Sequence, residues 1–204
     1  MFAVRHPQTN IQLYEELANL PAADRHRVRA GYELAAKLFA GRFRGNGKPF
    51  VAHLVGTAAV LARHDTPLDV VLAGLLHAAY EQGNRSRRKT KKLLREAIGP
   101  EVEDLVARYS TYDWSRVPDR IEDGDRPIVL MRIANEVDEC VDRGLLYAGP
   151  KKRREVADGL EGLATAARAL GVPRLADEFE TVFASNNDDP PEGYASERDW
   201  SFRP

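Results

Sequence analysis

Residues 67–81 read PLDVVLAGLLHAAYE, and this stretch decides the fold. Apolar residues occupy nearly every face of the predicted helix, which has Pro67 at the position where proline favours a helix start. A helix that is apolar all round belongs at the centre of a helical bundle. His77 interrupts this apolar surface, and a buried imidazole needs hydrogen-bond partners or a metal ion.

The chain on either side of this stretch also has helical periodicity. Apolar residues recur at helical spacing over residues 10–20, 22–41, 50–64, 101–112, 127–143, 151–170 and 173–184, and in an amphipathic segment that ends near residue 98. Asn10 is the predicted cap of the first helix. Residues 41–47 form a glycine-rich turn and residues 113–126 a charged loop. Strand patterns are absent, so the predicted fold class is all-α.

Length, charge and cysteine content exclude several classes of protein. The 204 residues, of which 43% are hydrophobic, predict one helical domain over residues 1–184, followed by a polar, flexible tail over 185–204. A net charge of −1 argues against a basic nucleic-acid-binding protein. The single cysteine, Cys140, excludes an intramolecular disulfide and fits a reducing compartment. With no signal peptide and no membrane span, the predicted location is cytoplasmic.

Two histidines lie inside apolar helices. His53 occurs in the predicted helix 50–64, and His77 occurs in the central helix. If these helices are neighbours, the two imidazoles converge, either as a pair within the core or as a functional site. We interpret His6 and His26 as ordinary surface residues, and His64 as part of a helix end.

Several motifs are spaced as in a known family. Residues 44–50 read RGNGKPF, His53 follows one turn later, residues 75–77 read LLH, and residues 131–135 read MRIAN. Together they resemble the HD-domain hydrolase of the RelA/SpoT family, which removes pyrophosphate from guanosine tetra- and pentaphosphate. The resemblance is strongest over residues 30–143 and implies an HD-domain-like helical bundle.

The resemblance also implies a metal site that is incomplete in this chain. The family uses two histidines and two aspartates to hold a divalent ion, generally manganese, which acidifies a water molecule. The matching residues here are His53, His77, Ala78 and Asn135. Ala78 donates nothing and Asn135 offers only a neutral amide oxygen. We therefore expect no metal, or a weakly bound divalent ion (Mn²⁺ if any) held by His53, His77 and Asn135.

The resemblance assigns roles to further residues. Glu81 matches an acid that activates or relays the attacking water, whereas Gln82 replaces an acidic residue of the family. Glu81 and His77 are the predicted catalytic residues. Arg44 matches an arginine that stacks on the nucleotide base. The predicted substrate-binding residues are Arg44, Arg42, Lys48 and Asn135.

Two charged segments have alternative interpretations. Asp138 and Glu139 follow Asn135 on the same helical face, and we interpret them as a solvated acidic stripe; the alternative is a substitute ligand that reaches His77. The basic run over residues 85–92 is interpreted as a solvated helix start, and its alternative is an anion-attracting surface at the mouth of a cavity.

The sequence favours a binding or regulatory protein, a pseudoenzyme, over a typical HD phosphohydrolase. Its predicted partner is a small anionic or nucleotide-like ligand in a pocket between the His53 and His77 helices. The alternative is a divergent metal-dependent phosphohydrolase that acts on a nucleotide phosphoanhydride or a phosphate ester. Two further hypotheses are a metal-free enzyme with His77 and Glu81 as acid and base, and a structural protein that binds its partner through the basic run and the tail.

Overall fold

The computed structural model describes residues 9–45, 47–117, 119, 121–141 and 150–185. The helices are α1 (Asn10–Glu16), α2 (Ala22–Leu38), α3 (Phe50–Arg63), α4 (Leu68–Leu76), α5 (Arg87–Ala97), α6 (Pro100–Thr111), α7 (Arg126–Val141), α8 (Pro150–Ala169) and α9 (Pro173–Ser185). Within the described ranges there is no strand beyond an isolated bridge between Phe43 and Pro49. The predicted all-α class is therefore confirmed.

The core of the bundle is built on α3, which packs against both α4 and α7. From Val70 to Leu76 every residue of α4 is buried, as expected for a helix that is apolar all round. Ten consecutive residues of α3, from Ala52 to Leu61, are also buried. The two predicted histidine helices are thus direct neighbours at the centre of the fold.

Several helix ends differ from the predictions, and the helix predicted over residues 10–20 ends at Glu16. The first helix is capped by Thr9, not Asn10, because Thr9 and Gln12 form a reciprocal capping box. The central helix was expected to continue to residue 81, but α4 ends at Leu76 and the chain continues in turns. The helix predicted over 22–41 ends at Leu38.

A hairpin-like turn connects α2 to α3 and fixes the position of Arg44. Gly41 and Gly47 have φ values of +71° and +80°, which residues with a side chain rarely adopt. The Arg44 amide donates to the Lys48 carbonyl at 2.9 Å, and the Phe50 amide donates to the Arg42 carbonyl at 3.0 Å. These bonds place the Arg44 side chain next to the start of α3.

Some of the expectations concern residues outside the described part of the chain. The tail was predicted over 185–204; Ser185 lies in α9, and residues 186–204 are not among the described residues.

The loop predicted over 113–126 contains two 3₁₀ turns, Trp114–Arg116 and Asp123–Asp125. None of the described helices is long and apolar enough to cross a membrane.

Candidate functional site

The rings of His53 and His77 meet between α3 and α4. Their centroids are 5.3 Å apart and their planes are nearly perpendicular. Both side chains are buried, with relative exposures of 2% and 5%. The structure thus brings together two side chains that are 24 positions apart in the sequence.

A hydrogen bond to the last turn of α4 holds His77 in one tautomer. Because α4 ends at Leu76, the His77 side chain can turn back, and its Nδ1 donates to the Gly74 carbonyl at 2.7 Å. Burial, followed by the electrostatic influence of His53, lowers the pKa of His77 from 6.5 to about 3. The ring is therefore neutral at neutral pH, and its Nε2 is a hydrogen-bond acceptor.

His53 is held by a carboxylate from α7. Its Nδ1 lies 2.6 Å from Oδ2 of Asp138, which is fully buried. The Lys48 ammonium lies 3.9 Å from the same oxygen. The interpretation of Asp138 as part of a solvated stripe is therefore wrong, because its side chain points into the core. The carboxylate also reaches His53 rather than His77.

Gly56 makes room for this carboxylate. A Cβ atom added to Gly56 would lie 1.7 Å from Oδ1 of Asp138, which is far inside van der Waals contact. Only a glycine at this position of α3 lets α7 bring Asp138 against His53. The His53–Asp138 contact thus depends on three residues from two helices.

The two histidines line one cavity of about 400 Å³, which we call the histidine cavity. Its wall contains five of the seven predicted site residues. The lining residues are Arg44, Gly45, Phe50, His53, His77, Ala78, Glu81, Gln82, Tyr109, Arg132, Asn135 and Glu139. Of the two remaining predicted residues, Arg42 lines an adjoining cavity and donates to Asn84, and Lys48 lies beside Asp138. The basic run over residues 85–92 does not contribute to this wall.

Both arginines of the wall are paired with carboxylates of α7. Arg44 forms an ion pair with Glu139. Arg132 lies 2.7 Å from Glu136 and packs over the Trp114 ring at 5.2 Å. The positive charges of the cavity are therefore partly neutralised by its own wall.

Sequence reasoning did not assign Arg132 or Tyr109 to the site, and it considered Asp138 only as an alternative ligand. The Tyr109 ring stacks edge-on against His77, with centroids 5.4 Å apart. One signal could have located Asp138: Met131, Ala134 and Asp138 follow one another at helical spacing on the buried face of α7. An acidic residue on such a face requires a buried partner.

The residues present do not fit the metal site of the resembling family. In the part of the chain that the structure describes, no three His, Cys, Asp or Glu side chains are grouped so that they could hold a metal ion. Ala78 has no donor atom, and the Asn135 amide faces Glu136 at 3.5 Å. At the two positions where the resemblance implies anionic ligands, this chain has an alanine and a neutral amide.

The neutral His77 ring predicts a loss of stability on acidification. Its pKa is 6.5 in an unfolded chain and about 3 in the folded one, so between these values only the unfolded chain binds the proton. The free energy of unfolding should fall by about 1.4 kcal/mol for each pH unit of decrease in this window. Urea denaturation at pH 6 and pH 5, both inside this window, measures the slope. The prediction fails if His77→Gln retains the whole slope of the unaltered chain.

Comparisons with known proteins show which proteins this chain resembles in sequence. A family model described as a domain of unknown function, DUF6817, matches residues 34–114. The bifunctional (p)ppGpp synthase/hydrolase SpoT of Escherichia coli K12 is 26% identical over 177 residues, which are 80% of this chain and 24% of that protein. The guanosine-3′,5′-bis(diphosphate) 3′-pyrophosphohydrolase of Haemophilus influenzae is 28% identical over 156 residues, which are 70% of this chain and 22% of that protein. The chain thus spans about a quarter of the length of these curated relatives.

A solved structure supports the fold. The metazoan SpoT orthologue described as hydrolysing ppGpp superposes with a TM-score of 0.58 at 19% identity, over 83% of this chain and 98% of that one. At this identity the likeness concerns the fold alone. It confirms the predicted HD-domain-like bundle.

Proposed function

We propose that the chain binds a small, phosphate-bearing, nucleotide-like ligand in the histidine cavity. Its homologues are (p)ppGpp hydrolases of the SpoT/RelA type, within the HD-domain family. The observation that carries this proposal is the convergence of Arg44, Arg132, His53 and His77 on one cavity. A volume of about 400 Å³ lies in the range of small-molecule sites.

The chemistry of the wall favours a ligand with both phosphate and hydroxyl groups. A guanidinium group offers parallel N–H donors that match phosphate oxygens. The neutral His77 ring cannot donate from Nε2, so this atom accepts a hydrogen bond from a hydroxyl group or a water molecule. Sugar phosphates and nucleotides supply both partners. The low pKa of His77 argues against a metal-free enzyme that uses this ring as a general acid at neutral pH.

One observation supports the divergent phosphohydrolase as a second candidate. Both histidines have Nδ1 bonded to a fixed oxygen, of Asp138 for His53 and of Gly74 for His77. Metal-bound histidines commonly have this arrangement, which leaves Nε2 for the ion. The two imidazoles are therefore suitably held, but the anionic ligands that would strengthen binding are not at positions 78 and 135.

Thermal denaturation with guanosine and adenosine nucleotides, in the absence of divalent metal, tests the proposal. At a ligand concentration 100 times its Kd, stability should rise by about 2.7 kcal/mol. The same concentration should have little effect on His77→Gln. The matched control is His26→Gln, because His26 is exposed and lies outside the cavity; it should respond like the unaltered chain.

Two results would change the conclusion. If no nucleotide stabilises the unaltered chain, the binding proposal is wrong. If Mn²⁺ leads to release of phosphate or pyrophosphate from a nucleotide, and His77→Gln removes this activity, the phosphohydrolase becomes the function of the site.

A further inference from the structure

The ion pair between Arg44 and Glu139 occupies the wall of the histidine cavity. Both residues line the cavity, and their side chains are 16% and 26% exposed. Among the basic side chains of the wall, Arg44 comes from the turn before α3, whereas Arg132 comes from α7. The ion pair with Glu139 thus joins the turn before α3 to α7 within the wall of the cavity.

We propose that Glu139 is a built-in competitor for Arg44 that determines which anions the cavity accepts. This inference rests on the proposed function. Without a ligand, the Glu139 carboxylate forms an ion pair with the Arg44 guanidinium. A ligand must displace it, and a phosphate group does so more readily than a carboxylate because it carries more charge and more acceptor oxygens.

The neighbouring contacts allow this exchange. Asp138, one position earlier, is fully buried against His53 and keeps the end of α7 in place. Glu139 lies on a different side of the helix and is partly exposed, so its side chain can turn towards solvent while the backbone stays fixed. Because the carboxylate can turn towards solvent, opening this pair costs less than breaking a fully buried ion pair.

Arg132 is less available for such an exchange. Its guanidinium contacts Glu136 one turn away on the same helix and packs over Trp114, and it also forms a side-chain hydrogen bond with Tyr109. Three partners hold the Arg132 guanidinium, whereas Arg44 is paired with Glu139, whose side chain can turn towards solvent. Arg44 is therefore the residue through which the cavity discriminates between anions.

Titration calorimetry with inorganic pyrophosphate and with GDP tests the inference. Glu139→Gln removes the competing charge and should bind both probes about tenfold more tightly than the unaltered chain. Asp104→Asn is the control for the loss of one negative charge, because Asp104 is exposed on α6 and lies outside the cavity wall. This control should change the affinity by less than about twofold.

A double-mutant cycle with Arg44→Ala separates competition from general electrostatics. In the Arg44→Ala background, Glu139→Gln should no longer tighten binding, because the guanidinium that it frees is absent. Tightening that persists without Arg44, or a Glu139→Gln effect no larger than that of Asp104→Asn, overturns the competitor role and leaves the binding function intact. If neither the unaltered chain nor Glu139→Gln binds either probe, both the competitor role and the proposed function are wrong.

Discussion

Replacing Gly56 with alanine is expected to lower the free energy of unfolding by about 3–5 kcal/mol. The added Cβ would lie 1.7 Å from Oδ1 of Asp138, so the carboxylate has to leave its place beside His53. This separates a fully buried charge from its partner. The loss exceeds the gain of about 1 kcal/mol that alanine normally gives over glycine inside a helix.

Urea denaturation of Gly56→Ala measures this effect, and Gly31→Ala is its matched control. Gly31 is also a buried helical glycine, but a Cβ there would meet a leucine methyl group at 3.0 Å, which can move. We expect this control to change stability by less than about 1 kcal/mol. In an Asp138→Ala background, Gly56→Ala should lose most of its cost. An equal cost in both backgrounds would mean that the carboxylate is not the obstacle.

Replacing Asp138 with alanine is expected to cost about 3–5 kcal/mol of stability. The substitution leaves the His53 Nδ1–H group without its buried acceptor and removes a carboxylate that lies 3.9 Å from the Lys48 ammonium. Asp138→Asn keeps the shape and an acceptor oxygen, so its cost should be smaller, about 1–3 kcal/mol. A larger loss of stability for Asp138→Ala than for Asp138→Asn distinguishes a lost hydrogen-bond acceptor from a simple change of charge.

Asp69→Ala provides the comparison for an exposed ion pair. Asp69 lies 2.6 Å from Arg27, but the two side chains are 39% and 37% exposed. Its removal should cost no more than about 1 kcal/mol. If Asp138→Ala costs no more than Asp69→Ala in equilibrium denaturation, Asp138 does not act as a buried anchor of His53.

The helices could be predicted from the sequence because their apolar spacing is long and regular. The central helix was recognised since residues 70–76 are apolar on every face, and all of them are buried. Its end was missed because Ala78 and Ala79 continue the helical pattern, whereas the chain turns after Leu76. The cap at Thr9 was missed because it depends on a side-chain contact with Gln12.

The candidate site was only partly predictable. His53 and His77 could be identified because each interrupts an apolar helix, and such interruptions require partners. Asp138 was assigned to the surface because acidic residues are rarely buried. Its position depends on Gly56, which is 82 positions away in the sequence and has no side chain to signal the contact.

The contacts that close the histidine cavity join residues that are far apart in the sequence. His53 and Asp138 are 85 positions apart, and Arg44 and Glu139 are 95 positions apart. Forming them requires the closure of long loops, so the cavity assembles late in folding, after helices that depend on local contacts. Residues 34–114, the segment matched by the family model, contain both histidines but neither carboxylate of α7. A fragment of that length would have the imidazoles but not the part of the wall that α7 supplies, namely Arg132, Asn135 and Glu139.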